Sequence, residues 1–140
     1  MGTTNFDSIE LSTGLTTPDL TVSDDLTITD DLTVGGDVAV TGNIINSGLE
    51  TLAESGAISI AKPITLLDSS GGALAMTLAD GTVGQRKIII CKVAGNNAVI
   101  TPAHFDGGDT ITMNAVGDSV ELVYANATWY VLGSNSISIG

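Results

Sequence analysis

The sequence predicts an all-β protein: a short hexad-repeat stalk followed by a small β-sandwich or barrel head. Three observations predict it. A six-residue pattern repeats through Leu20–Asn43. Downstream, short apolar segments alternate with Gly, Asn and Asp clusters at the spacing of strands and turns. Val, Ile, Leu and Thr carry the apolar character, and no window joins helical periodicity to good helix formers. The organisation read from these is an N-terminal arm (1–19), a stalk (20–48), a connector (49–56), a β head (57–134) and a C-terminal tail (135–140).

Repeats come first, because a missed repeat misreads the whole fold. Written in sixes, the stretch reads LTVSDD, LTITDD, LTVGGD, VAVTGN. The first place holds Leu20, Leu26, Leu32 and Val38, and the third holds Val22, Ile28, Val34 and Val40. On a helix these residues would scatter around the axis. In a strand, residues two apart share a face. Each hexad therefore reads as a short strand with two apolar side chains inward and Thr21, Thr27, Thr33 or Ala39 outward. The Asp, Gly and Asn residues that follow suit a corner, since they tolerate positive φ and bond their own backbone.

Strands closed by corners suggest a three-sided β-prism or β-helix. One chain needs three hexads, about 18 residues, for a single coil, and a solenoid needs roughly three repeats of its unit to bury a core. These hexads give one chain barely more than a coil. Three chains, each supplying one face per layer, stack all of them, roughly 19 Å tall at about 4.8 Å per layer. The expected trimer interface is Leu20, Val22, Leu26, Ile28, Leu32, Val34, Val38 and Val40. The alternative is an edge hairpin of a monomeric domain.

Composition bounds the rest. At 140 residues the chain is one domain of ordinary size, or a smaller one with an appendage. The one cysteine, Cys91, leaves no intrachain disulfide framework and reads as a small core residue in Ile88–Val93. No apolar run approaches a membrane span. Met1-Gly2-Thr3-Thr4 has neither a basic region nor an apolar core, so no signal peptide is expected. Charge is unevenly placed within a net of −12. Residues 1–56 hold Asp7, Glu10, Asp19, Asp24, Asp25, Asp30, Asp31, Asp37, Glu50 and Glu54 and no Lys or Arg. Nucleic acid is not an expected partner, because phosphate contacts need cations. The acidic half suits a basic surface.

In the arm, Phe6, Ile9 and Leu11 are either anchors that order on a partner or part of a frayed terminus. Pro18 precedes the first hexad. Ile44-Ile45-Asn46-Ser47-Gly48 reads as a decaying fifth hexad. Leu49–Ser55 reads as one or two helical turns connecting stalk to head. The head's candidate strands are 57–60, 64–68, 73–78, 87–93, 98–101, 110–113, 119–124 and 128–132. Ile88-Ile89-Ile90 is a continuous apolar run, as in a central strand covered on both faces. Ser119–Tyr124, Ala125-Asn126-Ala127 and Thr128–Leu132 read as a hairpin.

No residue set points to chemistry. His104, Asp106 and a serine would be the members of a triad, but no G-x-S-x-G nucleophile elbow is present to support one. No Cys/His set has metal-ligand spacing. Gly107-Gly108 is not followed by Lys-Ser/Thr, so it is not a phosphate loop. The expectation is no catalytic residue, no cofactor and no metal. The corner pairs Asp24-Asp25 and Asp30-Asp31 would form carboxylate columns that repel. Ca²⁺ would suit them, but the G-G-x-G-x-D-x pattern is missing and solvated corners are expected. Tyr124, Trp129 and Tyr130 form the one aromatic cluster: either a glycan platform or, for Trp129, the core anchor of the hairpin.

The pairing of LTV-SDD-LTI-TDD-LTV-GGD hexads with a small β head resembles trimeric structural proteins of tailed bacteriophages. The hexads are similar to those of phage fibre and appendage shafts. Thr77–Gly81, Gly84–Lys87, Ile100–Pro102, Gly117–Tyr124 and Thr128–Leu132 are similar to heads of phage virion proteins, marine phages especially. The resemblance covers most of residues 20–134. It implies an all-β homotrimer on a virion, made in the host cytoplasm, without enzymatic activity and without catalytic residues to carry over. Fibres of such virions are usually much longer than these 140 residues. The resemblance therefore implies a capsid decoration, or cement, protein on the outer capsid surface. Its partners would be itself and the major capsid protein, with Phe6, Ile9 and Leu11 as capsid anchor. The runner-up is a short head or tail fibre component that binds host glycans through Tyr124, Trp129 and Tyr130. A third reading is a secreted carbohydrate-binding module.

Overall fold

The computed structural model describes residue 22, residues 24–30 and residues 32–140. The chain divides into two units, Met1–Thr41 and Gly42–Gly140.

In the first unit, bends fall at Asp24, Thr29-Asp30 and Gly35-Gly36, and the next falls at Thr41-Gly42. The described corners keep the six-residue period; in the second, third and fourth hexads they sit at the fourth and fifth places, and in the third and fourth the expected sixth place lies outside the bend. Between them the described residues form no hydrogen-bonded strand. One strand per hexad was the expectation. The difference is physical: a strand is held by a ladder to a neighbour, and one chain offers these short segments none.

The second unit is all-β, with ten strands in two mixed sheets. The first sheet has the order β1 (Leu49–Leu52), β3 (Ile64–Asp68), β5 (Arg86–Val93), β8 (Ser119–Ala125), β9 (Thr128–Asn135). The second has the order β10 (Ser138–Ile139), β7 (Ile111–Met113), β6 (Ala98–Pro102), β4 (Leu74–Leu78), β2 (Gly56–Ile58). The sheets do not close into a barrel; their outer strands β1, β9, β10 and β2 remain edges. Of the two forms expected, the open one is found.

The connectivity has two halves. From β1 to β6 the chain alternates between sheets, and its neighbours within each sheet are parallel. Parallel strands need a long crossover, and here each crossover is a strand of the opposite sheet. The chain thus winds as a two-sided coil. From β7 onward every pairing is antiparallel: β7 on β6, β8 on β5, β9 on β8, β10 on β7. The β8–β9 hairpin turns at Asn126 and Ala127, with φ of 48° and 56°. Two residues in the left-handed region match the twist of the strands they join.

All the segments expected as head strands are strands. Two elements differ from expectation. Leu49–Ser55, expected as helical turns, contributes β1, which lies parallel to β3 with Leu49 opposite Ile64. Tertiary pairing overrides a weak local preference. The residues expected as a tail, 135–140, hold the end of β9 and the strand β10, whose Ser138 and Ile139 pair with Thr112 and Ile111. Gly140 then bonds Asp109 and Thr110 through its backbone. The head strands therefore run from Leu49 to Ile139.

The core lies between the sheets. Leu67, Ile89, Cys91, Ile100, Ile111, Leu122 and Trp129 have no exposed surface. Cys91 sits among them as expected, and burial raises its thiol pKa. Gly81 lies against the Trp129 ring: a Cβ there would sit 2.9 Å from Cζ2. The turn before β5 needs glycine for that contact.

Candidate functional site

The hexad side chains are the first surface to place. Val22, Ile28, Val34 and Val40, at the third place, are 41–48% exposed; Leu26, Leu32 and Val38, at the first, are 63–67% exposed. Both places stay open to water in one chain, although burying a Leu or Val gains about 1.5–3 kcal/mol. Leu20 and the arm residues Phe6, Ile9 and Leu11 lie outside the described residues.

The head has two outward faces, and strand alternation defines each. Outward on the β1-β3-β5-β8-β9 sheet, Leu49 stands beside Ile64 and Ile64 beside Ile88. In the next row Leu66 stands beside Ile90. Val123 stands beside Tyr130. Leu49 is 52% exposed and the others are half-buried. None of them packs on the core cluster. Ile88-Ile89-Ile90 was expected to be covered on both faces. Only Ile89 is buried; Ile88 and Ile90 point away from the core. Outward on the second sheet stand Ala57, Ala75, Thr77, Val99, Thr101, Thr112 and Ser138, all short or hydroxylated.

The aromatic cluster does not form one platform. Trp129 is fully buried, its Nε1 donates to Ala79 O at 2.9 Å, and its ring meets Tyr124 edge to face at 5.1 Å. Tyr124 is 6% exposed. Tyr130 follows Trp129 in β9 and so points to the opposite face. Stacking a sugar needs an open ring face, and Trp129 has none here.

His104 pairs with Asp80 rather than Asp106: Nδ1 lies 3.0 Å from both Asp80 carboxylate oxygens, at the surface. Asp106 is engaged through its backbone N–H, which donates to Trp129 O. Among the described residues no three His, Cys, Asp or Glu side chains gather to hold a metal. No described helix is long and apolar enough to cross a membrane.

One polar cluster goes beyond the sequence-based expectations. Lys87 is fully buried, and its Nζ donates to Lys62 O at 2.6 Å, Ser59 O at 2.9 Å and Glu50 Oε1 at 3.3 Å. Glu50 Oε1 also accepts from Thr65 Oγ1 at 2.6 Å and from the Ser59 N–H at 3.1 Å. Burial lowers the Lys87 pKa, and Glu50 opposes that shift. The cluster fastens β1 and the β2–β3 turn to β5. A signal for it exists in the sequence: Lys87, Ile89 and Cys91 alternate on one face, which places a lysine inside. Every donor of Lys87 has a partner, so the cluster reads as a clasp rather than a reactive site.

The geometry thus leaves two apolar surfaces without cover, the hexads and the outer face of the β5 sheet, and no assembled catalytic group among the described residues. No protein-family model matches this chain, and no curated protein matches it.

Proposed function

We propose that the chain is a non-enzymatic, homotrimeric structural protein of a phage virion. In this reading it is a decoration, or cement, protein held on the outer capsid surface by the major capsid protein. The observation that carries the reading is the hexad surface. Apolar residues recur at two places per hexad, corners recur every six residues, and the apolar places stay 41–67% exposed in one chain. Three copies supply the missing ladders and the missing cover together. The virion setting rests on the resemblance of hexads plus β head to phage shaft and head proteins. Burial of Trp129 favours decoration over glycan binding, since it removes the largest ring from the surface.

Sedimentation of the full chain and of a Leu26→Asp, Leu32→Asp double variant tests the assembly. The full chain should sediment as a trimer. The variant should be monomeric, because unpaired charges turned inward cost several kcal/mol each. A trimer unaffected by the double substitution rejects the inward assignment of the first place. Counting copies in purified virions by quantitative mass spectrometry then tests the setting. Hundreds per particle fit decoration, a few fit a fibre, and none rejects a virion role.

A further inference from the structure

We propose that the outer face of the β1-β3-β5-β8-β9 sheet is the surface through which the heads of three copies pack together. The inference rests on the trimer reading and extends it from the stalk into the head.

The face has the make-up of a buried layer. Leu49, Ile64, Leu66, Ile88, Ile90 and Val123 stand on it, and none reaches the core cluster. The opposite outer face, built of Ala, Thr, Val and Ser, shows what this head places against water. An apolar outer layer in a sheet covered on one side only is the mark of a partner.

Two observations select a second copy as that partner. The first is continuity along the chain. The fourth hexad ends at Asn43. Ile44 and Ile45 follow, 82% and 83% exposed, and Leu49 opens β1 at 52%. Ile44 and Ile45 thus carry the apolar pattern past the hexads, and Leu49 resumes it after Asn46-Ser47-Gly48. Six Cα–Cα steps lead from Asn43 to Leu49, and six extended steps span at most about 22 Å. Copies joined at their hexads therefore tether their first head strands to one another through linkers of that length.

The second is charge. The chain carries −12, and like surfaces of such a chain repel. This face is balanced. Arg86 and Glu121 are paired on it at 2.5 Å. At its far end Lys92 acts on Asp68. Copies of an acidic chain meet with least repulsion where their own charges cancel. Three such faces turned toward one axis repeat the plan read in the stalk, one face per copy.

A cysteine-labelling experiment on the full chain tests this. Leu49→Cys is the main variant, since that position is exposed in one copy; Ile88→Cys is the second, in case either variant misfolds. Thr77→Cys reports the other outer face. Native Cys91 is fully buried and stays silent in the folded chain. Each variant is reacted with a bulky maleimide, with and without Leu26→Asp, Leu32→Asp, and its oligomeric state is read by sedimentation. A tether giving about 1 mM effective concentration holds a face of about 0.1 mM affinity closed roughly nine-tenths of the time. Labelling at 49 and 88 should therefore be about tenfold slower in the trimer than in the stalk-broken monomer, with position 77 unchanged. A trimer in which 49 and 88 react as fast as in the monomer overturns the head interface and leaves the stalk standing. A full chain that sediments as a monomer overturns both.

Discussion

The two outer faces of the head obey the same alternation and carry different chemistry. On the second sheet, β4 reads Leu74-Ala75-Met76-Thr77-Leu78, buried and exposed by turns. On the first, β5 runs Ile88-Ile89-Ile90, with only the middle residue in the core. Both strands lie inside five-stranded sheets of one sandwich. In one chain, an uninterrupted apolar run can hold one face in the core and leave the other half-exposed. An alternating strand needs water on its far side; a continuous one needs a second layer. The hexads make the same point more strongly, since there one chain supplies no cover at all.

The largest expected effect comes from breaking the layer that both faces share. Trp129→Ala removes the anchor between the sheets and should cost about 3–5 kcal/mol, read by urea unfolding. A shift of a few tenths would mean that the ring is not core.

Next is the clasp, which fastens edge strand β1 of the first sheet to β5. Glu50→Gln leaves the buried Lys87 charge without its counter-ion. A fully enclosed pair loses about 3–5 kcal/mol in that way; with the Glu50 side chain 16% exposed, about 2–3 kcal/mol is expected. Lys87→Met should cost less, because Glu50 keeps the Thr65 hydroxyl and the Ser59 N–H. The pH dependence follows from the lowered Lys87 pKa. Well below it, both folded and unfolded chains carry the proton and the burial penalty is full. As pH rises through the folded pKa toward 10.5, the folded chain releases its proton first and the penalty relaxes. This group's contribution to stability therefore rises with pH in that window. Lys87→Met should remove the rise, as seen in unfolding curves taken along a pH series.

The smallest effects sharpen the comparison itself. Thr77→Ala, on the second outer face, should stay within about 0.5 kcal/mol at every protein concentration. Ile88→Thr, on the first, should be similarly mild in the stalk-broken monomer. In the full chain it should lower the melting temperature further, because there it opens a contact between copies. Equal, small shifts for Ile88→Thr in both backgrounds would make the two faces equivalent.

Much of this is legible in the chain. The positions of the head strands follow from alternation and from Gly, Asn and Asp punctuation, both local properties. The period of the hexads is legible for the same reason, and their corners fall at that spacing. Local signals run out at Leu49–Ser55. There Leu49, Leu52 and Ala53 fit a helical turn, and only pairing with Ile64–Leu67 makes a strand. They run out again at Ser138-Ile139, too short to be read as a strand before its partner Ile111-Thr112 is known.

Local signals along the chain set the all-β class and the positions of eight of the head strands, because side-chain period and turn chemistry act over a few residues. Tertiary structure decided which strands are neighbours and that β1–β6 wind between two sheets. It also decided that the Trp129 indole meets Ala79 and that Glu50 meets Lys87. Those outcomes join residues tens of positions apart. They depend on closing loops and excluding water across the whole sandwich, which no short window of sequence encodes.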